Sequence, residues 1–172
     1  DPMRVATRTI SGLYDGATTA ELDELSIRTA ALLIGEEPEY GRLAARLLAN
    51  FIAKEVSGQE IHAFSQSVAR GHEVGLINDR LLNFVQTNAR KLNDAIDPAL
   101  DLGFDYFGLR TLYDRYLLHD RGVRFELPQA FFMRVAMGLA LREDDREARA
   151  IEFYQLLSSF DFMCSTPTLF NA

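Results

Sequence analysis

The side chains best suited to chemistry stand together in the last nine positions, Cys164-Ser165-Thr166-Pro167-Thr168-Leu169-Phe170-Asn171-Ala172. Hydroxyl groups placed beside free backbone amides can hold a phosphate or a sugar oxygen. Pro167 lacks an amide hydrogen and restricts Thr166 to extended angles, so a rigid, extended segment displaying Ser165, Thr166 and Thr168 is expected. Read locally, the same cluster is also an ordinary turn after a helix. The stop at Ala172 and the start at Asp1-Pro2-Met3 both read as cuts in a longer chain.

Elsewhere the motifs that mark common reactions are missing. The sequence holds no Gly-rich phosphate loop, HExxH pair or GxSxG elbow. The single cysteine, Cys164, has no internal disulfide partner and nothing nearby to depress its thiol pKa. His62 and His72 lie ten residues apart, which is not ligand spacing, so no metal is expected. Thr19 and Asp23 read as first-turn helix residues, and Lys54 as a solvated cation near a helix C-terminus. Asp144-Asp145 reads as a helix cap rather than a catalytic dyad.

Composition limits the setting. A chain of 172 residues that is 48% apolar and 25% charged has room for one domain with a real core. A formal net charge of -7 disfavours a nucleic-acid surface. The most apolar run, Ala130 to Leu141, is too short to span a bilayer and contains Arg134. One unpaired cysteine fits a reducing, cytoplasmic environment.

The elements that must position these side chains are almost all helical. Residues 4–12 form the end of a helix or a short lead-in. Thr18-Thr19-Ala20-Glu21 supplies a capping box for a helix burying Leu22, Leu25, Leu32 and Leu33, with Gly35 at its end. Pro38 opens an antiparallel neighbour with two apolar rows, Leu43, Leu47, Phe51 and Ala44, Leu48, Ile52, and Arg46 near them. Ser57-Gly58 marks a domain boundary between 1–58 and 59–172.

Beyond it, Ile61, Phe64 and Val68 suggest a helix over 59–70. Asn78-Asp79 caps another with Leu81, Leu82, Phe84 and Val85, which becomes irregular from Lys91 to Ile96 and stops at Asp97-Pro98. The aromatic stretch from Phe104 is expected to bury Phe107, Leu112 and Tyr116. Tyr116–His119 and Val123–Phe125 flank Asp120-Arg121-Gly122 as a small hairpin that needs a helix to pack on. Pro128 starts a central helix through Leu141. The last helix presents Ala148, Ile151, Phe153, Leu156, Leu157 and Phe160, capped by the Asp144-Asp145 pair. The fold class expected is mainly α, a helical bundle with one small β-hairpin.

Three stretches, in order, carry a family resemblance. Gly12 to Leu25, with Pro38-Glu39-Tyr40 and Leu43-Ala44-Ala45-Arg46, resembles the second half of an ATP-cone. Phe104-Asp105-Tyr106-Phe107-Gly108-Leu109-Arg110-Thr111-Leu112, followed by Tyr116-Leu117-Leu118, is similar to the N-terminal helical domain of the class I ribonucleotide reductase large subunit. Ser165 to Ala172 resembles the segment leading from that domain into an α/β catalytic barrel. The resemblance implies a portion of an enzyme that reduces ribonucleoside diphosphates to deoxyribonucleotides by thiyl-radical chemistry. It implies contacts from Thr19, Asp23 and Lys54 to an allosteric ATP or dATP, and from Thr166 and Thr168 to the substrate.

The implied partners are a radical-generating small (beta) subunit, thioredoxin or glutaredoxin as reductant, and a second copy in a homodimer or larger assembly, with no nucleic acid and no membrane. The first half of the cone and the redox cysteines have no counterpart here, and Cys164 matches none of the latter, so the isolated chain is expected to be inactive. A helical module that binds a nucleotide or a protein without catalysis is the alternative.

Overall fold

The computed structural model describes residues 1–171. They form nine α-helices, a short 3-10 helix and one two-stranded antiparallel hairpin. Helix α1 (Pro2–Ser11) is capped by the Asp1 carboxylate, which accepts from the Met3 amide. Helix α2 (Thr19–Leu32) begins at the expected capping box: Thr18 Oγ1 accepts from the Glu21 amide at 3.2 Å and Glu21 Oε2 accepts from the Thr18 amide at 2.8 Å. Tyr14 donates to the other Glu21 oxygen, and this bond, followed by those from Thr18, holds the Glu21 carboxyl down at about 2. Thr18→Ala removes the cap and is expected to lower unfolding free energy by ~1 kcal/mol, measured by urea denaturation.

The buried face of α2 differs from the leucine face expected. Ile27, Thr29 and Ala30 are buried with Leu33, whereas Leu22 and Leu32 are exposed. Helix α3 (Glu39–Ser57) explains this, because it packs on α2 and its small Ala44 shares a buried cluster with Ala30 and Leu33. Close helix approach selects small side chains, and leucines off that line swing out to solvent. Of the two rows on α3, Ala44, Leu48 and Ile52 are fully buried, and Leu43, Leu47 and Phe51 are half-buried. Lys54 near the end of α3 meets Asp23 near the start of α2, so the two run antiparallel as expected.

Helix α4 (Phe64–Glu73) starts later than residue 59. Glu60 occupies the left-handed region at φ 61°, which interrupts any helix there, and Gln66 Oε1 then accepts from the His62 and Ala63 amides at the new start. Helix α5 (Asp79–Ala95) is capped by Asn78 and continues past Lys91; its irregularity lies earlier, at Asn88. Leu92 is fully buried and holds the last turns in place. A 3-10 helix over Pro98–Gly103 leads to α6 (Tyr106–Arg115), whose cap is Asp105. There Phe104, Leu109, Leu112 and Tyr113 are buried, while Phe107 is 64% exposed. Phe107 lies about 200° around the helix from Leu109, on the opposite face. Tyr116 is half-buried.

Strands β1 (His119–Asp120) and β2 (Val123–Arg124) pair around Arg121 and Gly122, both at positive φ. Their supporting helix is α3, whose Glu55 Oε1 accepts from the Arg124 amide; just past its end Gln59 Nε2 donates to the Arg124 carbonyl, and the Arg124 guanidinium lies 3.9 Å from the ring centroid of Tyr113 on α6. Helix α7 (Pro128–Ala140) is central as expected, buried nearly all round, and it packs most extensively on α8 (Arg146–Ser158). Asp145 occupies the cap position of α8 without a side-chain cap hydrogen bond. On α8 the inward residues are Ala150, Tyr154 and Leu157, whereas Leu156 and Phe160 at its end are exposed and Ala148 faces solvent.

The last element corrects the extended tail. Thr166–Asn171 forms a short helix, α9. Pro167 sits in its first turn, where a missing amide hydrogen loses nothing and a fixed φ favours the helix. The Ser165 carbonyl accepts from the amides of Thr168 and Leu169. Ala172 lies outside the described residues.

Candidate functional site

The side chains singled out in the sequence form two groups. In the first, Thr19 and Asp23 lie four residues apart on α2 and so share one face at its N-terminal end. Lys54 reaches across from α3, donating to Asp23 Oδ2 at 2.7 Å and Oδ1 at 3.0 Å. The structure thus brings Asp23 and Lys54 together, with Thr19 exposed one turn away. Lys54 remains more than half exposed and Asp23 about a quarter. An exposed pair like this contributes little to folding. Lys54→Met is expected to change stability by no more than ~1 kcal/mol in urea denaturation.

The second group surrounds α9. Thr166 is exposed, and its Oγ1 lies 3.2 Å from the Tyr116 hydroxyl. Phe170 stacks on the same tyrosine ring with centroids 4.7 Å apart, while Leu169 is buried and packs toward α7. Thr168 is half-buried, and Ser165 faces solvent. The tyrosine therefore anchors the tail by a ring contact and a hydroxyl contact together. Aromatic density around residues 104–116 marked this region in the sequence, but nothing there paired Tyr116 with Thr166, fifty residues away.

Tyr116 also lines an open cleft of about 330 Å3 bordered by Phe104, Leu112, Phe131, Phe132 and Phe160. Such a wall accepts an apolar or aromatic body, and hydroxyls at its edge accept or donate to a polar one. No lysine or arginine is among its lining residues, so phosphate bound here needs its counter-charge from another source. Burial pushes the Cys164 thiol pKa up, the opposite of what a reactive thiolate requires. Among the described residues, no group of three or more His, Cys, Asp or Glu side chains gathers to hold a metal ion. None of the described helices is long and apolar enough to cross a membrane.

Comparison with known proteins points in one direction. Residues 102–172 match the family described as ribonucleotide reductase, all-alpha domain. The chain is similar to the ribonucleoside-diphosphate reductase subunit alpha of Chlamydia trachomatis, 41% identical over 94% of this chain and 16% of that protein. It is 38% identical to the ribonucleoside-diphosphate reductase large subunit of Caenorhabditis elegans and 35% identical to that of Plasmodium falciparum, each over 100% of this chain and 22% of the relative. The chain thus spans about a fifth of the length of these relatives.

Proposed function

From the premise that the chain belongs to the ribonucleotide reductase large-subunit family, we propose that it serves as the N-terminal portion of an enzyme reducing ribonucleoside diphosphates to deoxyribonucleotides. In this reading residues 1–58 are the second half of an ATP-cone and residues 59–172 the helical domain that leads to the catalytic barrel. Thr166 and Thr168 stand on the substrate side. The observation that carries this is the placement of Thr166: exposed on a helix pinned to Tyr116, at the margin of an open cleft. A hydroxyl so held is oriented before a substrate arrives, which lowers the ordering cost of binding.

Met163 lines the same cleft and Phe170 stacks on Tyr116, each about half exposed. Apolar side chains at this density mark a surface meant to be covered. Because the relatives are roughly five times longer, their remaining length supplies the cover, together with the thiyl-radical machinery. The small radical-generating subunit, thioredoxin or glutaredoxin, and a second large subunit are the partners of that complete protein. In the first group, Lys54 offers a phosphate a point charge once it leaves Asp23, and Thr19 offers an oxygen ligand at the helix start. ATP or dATP is the effector proposed there.

Two measurements test this. In the complete subunit, Thr166→Val is expected to raise KM for the ribonucleoside diphosphate while folding stays intact; an unchanged KM removes Thr166 from the substrate side. For the effector, ATP at millimolar concentration is expected to raise the melting temperature of this chain and to have no such effect on Lys54→Ala. Equal shifts in both, or none in either, argue against the Thr19-Asp23-Lys54 group. Reduction of a ribonucleotide by the isolated chain overturns the whole reading.

A further inference from the structure

A second pocket, of about 190 Å3, lies where the end of α3, the start of α4, the end of α5, the 3-10 helix and the start of α7 converge. Its walls are largely apolar, from Val56, Ile61, Phe64, Ile96, Leu127 and Ala130. Two polar side chains on it have unused bonding capacity. Ser67 is only 3% exposed, and among the described residues its hydroxyl makes no hydrogen bond to protein. Unlike Thr9 Oγ1, which is sealed in protein without a partner, Ser67 Oγ meets open space. The Asp101 carboxylate accepts from Gln129 Nε2 at 2.7 Å through Oδ1, which leaves Oδ2 without a protein donor among the described residues.

Of the other polar side chains on the pocket, Gln129 and Asn93 are engaged, whereas His62 at its rim is exposed and its ring makes no hydrogen bond among the described residues. Gln129 Oε1 accepts from the Tyr154 hydroxyl, whose own oxygen accepts from the Asp97 amide. Asn93 is bonded to Ser65 through both ends of its amide. The Tyr154-Gln129-Asp101 chain therefore fixes the carboxylate in place, while Ser67 stays free to rotate toward a guest. Asp101 also borders a surface cleft lined by Arg42 and Arg46. An apolar chamber with one oriented carboxylate and one free hydroxyl selects a flat, apolar body bearing nitrogen donors.

We infer that this pocket binds a small planar ring carrying an amino or amidino group, with Asp101 Oδ2 and Ser67 Oγ as its polar contacts. It stands apart from the α9 cleft and does not depend on the function proposed above. Benzamidine is the test compound and benzoate, of the same shape and opposite charge, its control, each followed by amide chemical shifts of the isotopically labelled chain. Saturable shifts with benzamidine, centred on Ser67, Asn93 and Ala130 and absent with benzoate, are expected. Asp101→Asn and Ser67→Ala are each expected to weaken binding about tenfold. Ser67→Leu, which fills the chamber, should abolish it; if that variant does not fold, the alanine variant decides. Absence of saturation, equal shifts with benzoate, shifts centred on another surface, or unchanged affinity in both Asp101→Asn and Ser67→Ala overturns the inference.

Discussion

Arg134→Met is expected to destabilise the chain by about 3–5 kcal/mol in urea denaturation, more than any other substitution discussed for this protein. Arg134 and Glu126 are 4% and 1% exposed, and two hydrogen bonds join them, Nε to Oε1 at 2.6 Å and Nη2 to Oε2 at 3.2 Å. Methionine fills much of the arginine's volume, so the loss comes chiefly from leaving a carboxylate buried without its counter-charge. Glu126 has a second duty: its Oε2 accepts from the Leu118 amide at 3.0 Å, tying the approach of β1 to the segment that follows β2. The double variant Arg134→Met with Glu126→Leu should therefore recover most of the loss and still fall short of the native chain, because the Leu118 amide is then orphaned. If the single variant melts like the native chain, the pair does not hold the hairpin against α7.

The second large effect is a gain. Asp101→Asn is expected to make the chain more stable above pH 6 and to lose that advantage as the pH falls toward 4. Burial pushes the Asp101 carboxyl up to about 6 from an ordinary 3.8, and the Gln129 hydrogen bond only partly opposes it. The folded state thus holds this proton more tightly than the unfolded state does. Stability from the group is fully present below the unfolded value and is lost as the pH rises through the folded one. A shift of roughly two units corresponds to ~3 kcal/mol at most between those limits. Other carboxylates act in the opposite direction, Glu21 among them, since its pKa is lowered to about 2. The measurement is therefore the difference between native and variant unfolding free energies at several pH values. A difference that stays flat with pH contradicts a strained, buried Asp101.

Both effects depend on packing between elements, as in the contact between Asp101 and Gln129, 28 residues apart, and this separates what local sequence determines from what it does not. Local chemistry was legible: the Thr18-Glu21 capping box, the Asn78 cap, the Pro128 start of α7 and the hairpin turn at Arg121-Gly122 all stand where their residue types place them. Each is decided by bonds within a few residues, so a few residues suffice to predict it. The family resemblance was legible too, from three short stretches in the right order.

Sequence pattern and structure part where the position of a distant neighbour decides the outcome. Pro167 signals a break unless the chain before it has already ended a helix; here that happens, and the same proline starts α9. Phe107 and Leu32 have the character of core residues, yet both are exposed among the described residues. The Asp23–Lys54 pair joins residues 31 apart, and the Tyr116–Thr166 contact joins residues 50 apart.

By itself, then, the order of amino acids determined the helical character of the chain, its caps and turns, and its family resemblance, because these rest on short-range bonding and recurring local patterns. Tertiary packing alone decided which face of each helix is buried, which acid and base share an interior, and where the hydroxyls of α9 point. Those outcomes depend on distances between elements, set by the shapes of side chains on both partners at once.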